Sequence, residues 1–185
     1  MSMSMKISTV SDTDIEEIKA IPEKLEIIHY GEIFEEDLED LDLDEKEKKE
    51  LLEWKPKHQS LFFHIAASFE AINYLLTEDP VWGNGVFPLN FLGEQGIPIG
   101  EIGWGPARFF SSKETQEIYD RLKILDIEKI SAFYNVDNFN KYHIYPKGYI
   151  WTDTDIEKLI SKIRGLVEFI SEAKNGELGI YITIE

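Results

Sequence analysis

Four histidines, two acids in apolar surroundings and one arginine are the side chains through which this chain could do chemistry. The histidines are His29, His58, His64 and His143. His58 and His64 stand six apart, whereas a helical metal site uses a four-residue pair that puts both imidazoles on one face. They read as structural or surface side chains, and so does His29. His143 differs, because Tyr142-His143-Ile144-Tyr145-Pro146 surrounds it with packing able to shift its pKa. Glu70 and Glu101 are the acids nearest apolar neighbours, and a buried carboxyl with a raised pKa can exchange protons. Arg108, one of three arginines with Arg121 and Arg164, offers a planar fork for a carboxylate or a structural clamp. Together with Trp104 and Tyr142 these residues form a candidate ligand cleft: Trp104, Arg108, Tyr142, His143, Glu70 and Glu101.

Other chemistries lack their residues. The glycines of Gly100-Glu101-Ile102-Gly103-Trp104-Gly105 miss the dinucleotide spacing and read as a tight hairpin. No Gly-x-Ser-x-Gly elbow or Walker loop occurs, and Ser68 has no partner that sequence identifies. With no cysteine, disulfides, thiolate nucleophiles and cysteine-held zinc or iron–sulfur centres are excluded. No metal and no cofactor are expected.

Charge points to a different class of function. The chain has 36 acidic and 19 basic residues, a formal net charge of -17, which disfavours phosphate neutralisation on nucleic acid and favours a basic protein partner. The sharpest shift is at 32–50, with eleven carboxylates against Lys46, Lys48 and Lys49. Glu35, Glu36, Asp37, Glu39, Asp40, Asp42 and Asp44 are the partner-binding candidates there, on a solvated and mobile face that Leu38, Leu41 and Leu43 can anchor. A calcium loop needs a turn glycine near its middle, and none lies between Asp37 and Glu50.

The elements that must position these groups follow from periodicity. A strand is expected at Met5–Val10, then a helix capped by Ser11 with Asp14 returning a bond, and a second helix opened by Pro22. Phe62, Ile65, Phe69, Ile72 and Leu76 recur at three and four, which predicts one long helix over 59–77. The glycine-rich and proline-rich stretch 80–110 reads as turns and short extended pieces. Helices follow from Ser111 or Ser112 and over 126–134, then a polar and aromatic loop over 135–151. A long helix begins near Thr152 or Thr154. Leu178, Ile180, Ile182 and Ile184 alternate with Gly179, Tyr181, Thr183 and Glu185 as a half-buried strand, for which Met5–Val10 is a candidate partner.

Gly105-Pro106-Ala107-Arg108-Phe109-Phe110 before a serine-capped helix, the run Asn73-Tyr74-Leu75-Leu76-Thr77, and the last helix with its closing strand resemble the YfbM-like bacterial proteins, a family of unknown function. The resemblance spans nearly the whole chain and implies an intracellular α+β domain. Where that family usually carries an Asp-Lys pair, a Trp and a His, this chain has Ala66, Ala67, Phe69 and Asn73, which disfavours an enzyme built on them. The resemblance also implies an immunity-like role, in which a stoichiometric inhibitor needs no catalytic residue.

The sequence therefore predicts one compact α+β domain over 1–185, with a small mixed or antiparallel sheet that includes the C-terminal strand, surrounded by several helices. It has no signal-peptide pattern and no run of 18 apolar residues, so a cytoplasmic protein without membrane contact is expected. The leading function is non-enzymatic binding of a basic protein. The alternative is a small-molecule site or enzyme near Arg108 and His143.

Overall fold

The computed structural model describes residues 3–33, 38–39, 41, 43–78, 92 and 96–185. The chain order is β1 (Met5–Val10), α1 (Asp12–Ala20), α2 (Lys24–Tyr30), α3 (Glu45–Glu53), β2 (Phe62–Ala66), α4 (Phe69–Thr77), β3 (Ile97–Ile99), β4 (Ala107–Phe110), α5 (Ser112–Leu122), α6 (Ile127–Phe133), α7 (Val136–Lys141), α8 (Asp155–Asn175) and β5 (Gly179–Ile184). The five strands make one sheet in the order β2-β1-β5-β4-β3, and each pairing is antiparallel. Among the described residues this is an α+β domain, as the sequence predicts.

The C-terminal strand pairs with β1 in the register Met5 with Ile184 through Val10 with Gly179. It is buried along its whole length rather than on one face. The reason is its central position: β4 flanks its other edge, and helices cover both faces. Ile180, Ile182 and Ile184 join the main core with Met5, Ile7 and residues of α4, α5 and α8. Tyr181 faces the opposite way, into a second core with Val10, Ile15, Ile18, Leu25 and Phe109.

The long helix expected over 59–77 is instead a strand and a shorter helix. Phe62–Ala66 pairs with β1, and Ala66 turns the chain at φ +56° before α4 begins. Residues three apart fall on opposite faces of a strand, so it is Phe63 and Ile65, not Phe62, that keep period two here. Phe63 and Ile65 point into the core while Phe62 and His64 are exposed or nearly so, and aromatic and β-branched side chains favour the pleated conformation. Phe63 stacks on Phe169 of α8, with ring centroids 5.9 Å apart.

Caps appear where the sequence places them. Ser11 Oγ accepts from Asp14 N at 3.0 Å and donates to the Asp14 carboxylate at 2.6 Å. That buried carboxylate also accepts from the backbone of Lys57 and His58, tying the 54–60 segment to α1. Ser111 and Glu114 form a full capping box on α5. Helix α8 starts with Asp155, whose Oδ2 accepts from Thr152 N and Oγ1, both at 2.9 Å. The 135–151 interval is more ordered than a loop: it holds α7, and Asn140 bonds both backbone groups of Trp151.

Within the glycine-rich stretch 80–110, residues 80–91 and 93–95 lie outside the described residues. Its end forms the β3–β4 hairpin, with 100–105 as the connecting loop. Gly103 is required there. At φ +69° a Cβ would sit 2.2 Å from the Ile184 carbonyl oxygen, where the loop bridges to the end of β5.

Candidate functional site

The six cleft candidates fall into two groups. Glu70, in the first turn of α4, is buried, and its Oε2 accepts from Tyr145 N at 2.9 Å. Burial pushes its carboxyl up, against the opposing pull of that backbone bond. Tyr142 and His143 occupy the same segment as Tyr145 but are exposed. Tyr142 meets Tyr74 edge-on at 6.0 Å. His143 has φ +53° and lines a cavity of about 430 Å³ with Asn140, Pro146 and Tyr149. The second group is on the β3–β4 hairpin. Trp104 and Glu101 are exposed in its loop, with Trp104 N donating to the Ile184 carbonyl at 2.7 Å. Arg108 sits mid-strand opposite Pro98 and Ile182, and its buried Nε has no hydrogen-bond partner among the described residues. Among the described residues no hydrogen bond, ion pair or ring contact joins the two groups.

The aromatic surroundings of His143 have a structural explanation. Phe139, Tyr134, Tyr149 and Trp151 pack ring to ring, and Trp151 Nε1 donates to the Ile144 carbonyl at 2.9 Å. Tyr149 also donates to Asp155. Burial raises the Asp155 pKa, but the bonds from Lys158, Thr152 and Tyr149 outweigh it and hold the carboxyl down at about 2.

The acidic region is built on α3. Asp44 spends its carboxylate on the capping box with Glu47, accepting from Lys46 N and Glu47 N at 2.8 Å. Leu38 and Leu51 are buried against Ile27 of α2 and Ile33, with Leu41, Leu43 and Trp54 at the margin. Glu32, Glu39, Glu45, Glu47, Glu50 and Glu53 are exposed. A cleft of about 380 Å³ lies between Leu38–Glu39 and the Glu45, Lys48, Lys49 and Leu52 side of α3. Each α3 lysine lies within 4 Å of a glutamate one turn away: Lys46 with Glu50, Lys48 with Glu45, Lys49 with Glu53. Of the other candidates, Glu35, Glu36, Asp37, Asp40 and Asp42 lie outside the described residues.

One constellation escaped the sequence reading. The His29 side chain, read as structural or surface, is only 2% exposed, and its Nε2 lies 2.8 Å from Glu185 Oε1. Its Nδ1 is buried without a partner among the described residues. Burial and the neighbouring Lys6 ammonium lower the His29 pKa, with Glu185 acting in the opposite direction. Tyr181, stacked on Phe109 at 5.3 Å, is pushed up to about 12 by burial, partly relieved by hydrogen bonding with Ser8 and Ser60. The signal in the sequence was the polar half of the β1 and β5 alternation, Lys6 and Ser8 against Tyr181 and Thr183, which pairing brings onto one face. Among the described residues no group of three or more histidines and carboxylates is placed to hold a metal ion, and no helix is long and apolar enough to cross a membrane.

One antiparallel sheet with helices on both faces defines an α+β protein. The chain belongs to the family described as a domain of unknown function (DUF1877), which it matches over residues 1–183. It is similar in fold to the crystal structure of YfbM from Escherichia coli, a protein of unknown function, with a TM-score of 0.60 and 14% identity over 98% of this chain and 99% of that one. At that identity the likeness concerns the fold alone. No curated protein matches the chain.

Proposed function

We propose that this protein is a non-enzymatic binding domain whose acid-rich 32–53 region engages a basic protein, in the manner of an immunity protein on a toxin. The observation that carries the reading is the anchoring of that region. Ile33, Leu38 and Leu51 close an apolar cluster with Ile27, so exposed Glu32, Glu39, Glu45 and Glu50 project from a fixed base rather than a free tail. A carboxylate surface fixed before binding loses less conformational entropy on association. Its field also raises the rate of encounter with a basic partner. The cleft beside Glu39 and Leu52 offers room for a side chain of that partner.

The alternative, an enzyme near Arg108 and His143, has weaker support. Acid–base chemistry needs groups that converge within hydrogen-bond reach of one reacting atom, and the two candidate groups are not joined. Glu70 is already engaged by Tyr145 N.

The test is isolation of the tagged chain from its native host at low salt, beside the double variant Glu32→Lys, Glu39→Lys. Both residues are exposed, so the variant should fold normally. The reading expects one basic protein in near-stoichiometric amount with the unmodified chain, and its loss from the variant. Equal recovery with both, or recovery of no basic protein, would overturn it.

A further inference from the structure

A second site borders the acidic region, between the polar face of the sheet and α2. It is a pocket of about 300 Å³, lined by Lys6, Ser8, His29, Lys55, Ser60 and Tyr181, with Ile28 and Phe62 among its apolar walls. Its size falls near the lower end of small-molecule sites. The local charge runs against the rest of the molecule. Lys19, Lys24, Lys46, Lys48, Lys49, Lys113, Lys123, Lys129 and Lys158 each have a carboxylate partner. Among the described residues Lys6 and Lys55 have none, nor do Lys57, Lys141, Lys147, Lys162 and Lys174, but of these only Lys6 and Lys55 line the pocket. Lys6 instead lies 5.2 Å from the Phe62 ring centroid, so ammonium and apolar surface stand side by side.

His29 adds a directional group. A neutral imidazole whose Nε2–H donates to Glu185 leaves Nδ1 as a bare acceptor, and this buried nitrogen is unpartnered. A buried acceptor without a donor is costly, and a ligand hydroxyl would relieve that cost. Two ammonium groups, an apolar wall and one acceptor are complementary to a single kind of molecule.

We propose that the Lys6–His29–Lys55–Tyr181 pocket binds a small organic carboxylate that has an apolar body and a hydroxyl donor. The carboxylate pairs with Lys6 and Lys55, the body lies on Ile28 and Phe62, and the hydroxyl donates to His29 Nδ1. The ligand contacts of this pocket use none of the carboxylates of the partner-binding surface, so either reading can fail without the other.

The probe is 4-hydroxybenzoate, titrated into the full chain and followed by two-dimensional amide NMR, with 4-hydroxybenzamide as the uncharged counterpart. The expected result is a saturable shift centred on Lys6, His29, Ser60 and Tyr181. Affinity should fall at least about fivefold for the amide and for the double variant Lys6→Gln, Lys55→Gln, because each removes the charge pairing. The amide spectrum of the variant away from the pocket reports that it is folded. No saturable shift with 4-hydroxybenzoate, equal binding of the amide, or unchanged affinity in the folded variant would overturn the proposal.

Discussion

Lysines have opposite fates in the α3 surface and in the His29 pocket. On α3 each of the three has a glutamate one helical turn away, so its charge is spent locally and the remaining carboxylates set the field. Lys6 on a strand and Lys55 after a helix end have no such neighbour in register, and both remain available to a ligand. Between these two regions, secondary structure decides which lysines are paired. Exposed pairs of the α3 kind add little stability, typically less than about 1 kcal/mol each. The difference therefore concerns recognition more than folding.

Both regions depend on the sheet, so the largest effect should come from its core. Ile182→Ala, at a position 2% exposed, should cost about 3 kcal/mol in a denaturant titration and weaken both binding functions through loss of folded protein. Leu38→Ala separates the two. Leu38 is buried in the cluster beneath the acidic segment, so the change should cost about 2 kcal/mol and reduce partner capture far more than the pocket's NMR response, which it reaches only through Ile27.

Acid should act at a third place, remote from both. The Asp155 pKa is about 2 in the fold against an ordinary value of 3.8. A depressed carboxylate pKa contributes stability that is full above the unfolded value and lost as pH falls through the folded one. About 2 kcal/mol should therefore disappear between pH 4 and pH 2, and Asp155→Asn should flatten that part of a stability–pH curve. The smallest effect is expected for Asp14→Asn. It weakens the attachment of residues 57–58 to α1 at a cost of about 1 kcal/mol, loosening the pocket wall that carries Lys55 and Ser60 while partner capture persists.

The fold was legible wherever one local rule decided the element. Ser11 and Ser111 announce their helices, and the alternation of 178–184 announces β5. The error at 59–77 arose because Phe62, Ile65 and Phe69 fit helical spacing while Phe63 and Ile65 fit period two; only pairing with β1, a long-range fact, selects the strand. Burial of β5 on both faces was hidden for the same reason, since Tyr181 and Thr183 look solvent-facing until α1 and α2 are laid over them. Of the sites, the acidic segment was visible as composition and Leu38 as a candidate anchor, but the partners of that anchor, Leu51 and Ile27 of α2, required the packed chain. The His29 pocket was invisible because its residues come from β1, α2, the 55–60 segment and β5, with no motif joining them.

The central claim, that an anchored acidic surface recruits a basic protein, is tested most directly by the association kinetics of the captured partner across ionic strength. Rim charges govern encounter and are screened within about 10 Å at 0.1 M salt. The account predicts an association rate that falls at least about tenfold between 0.05 and 0.5 M salt, with dissociation changing much less. An association rate that does not respond to salt would contradict it.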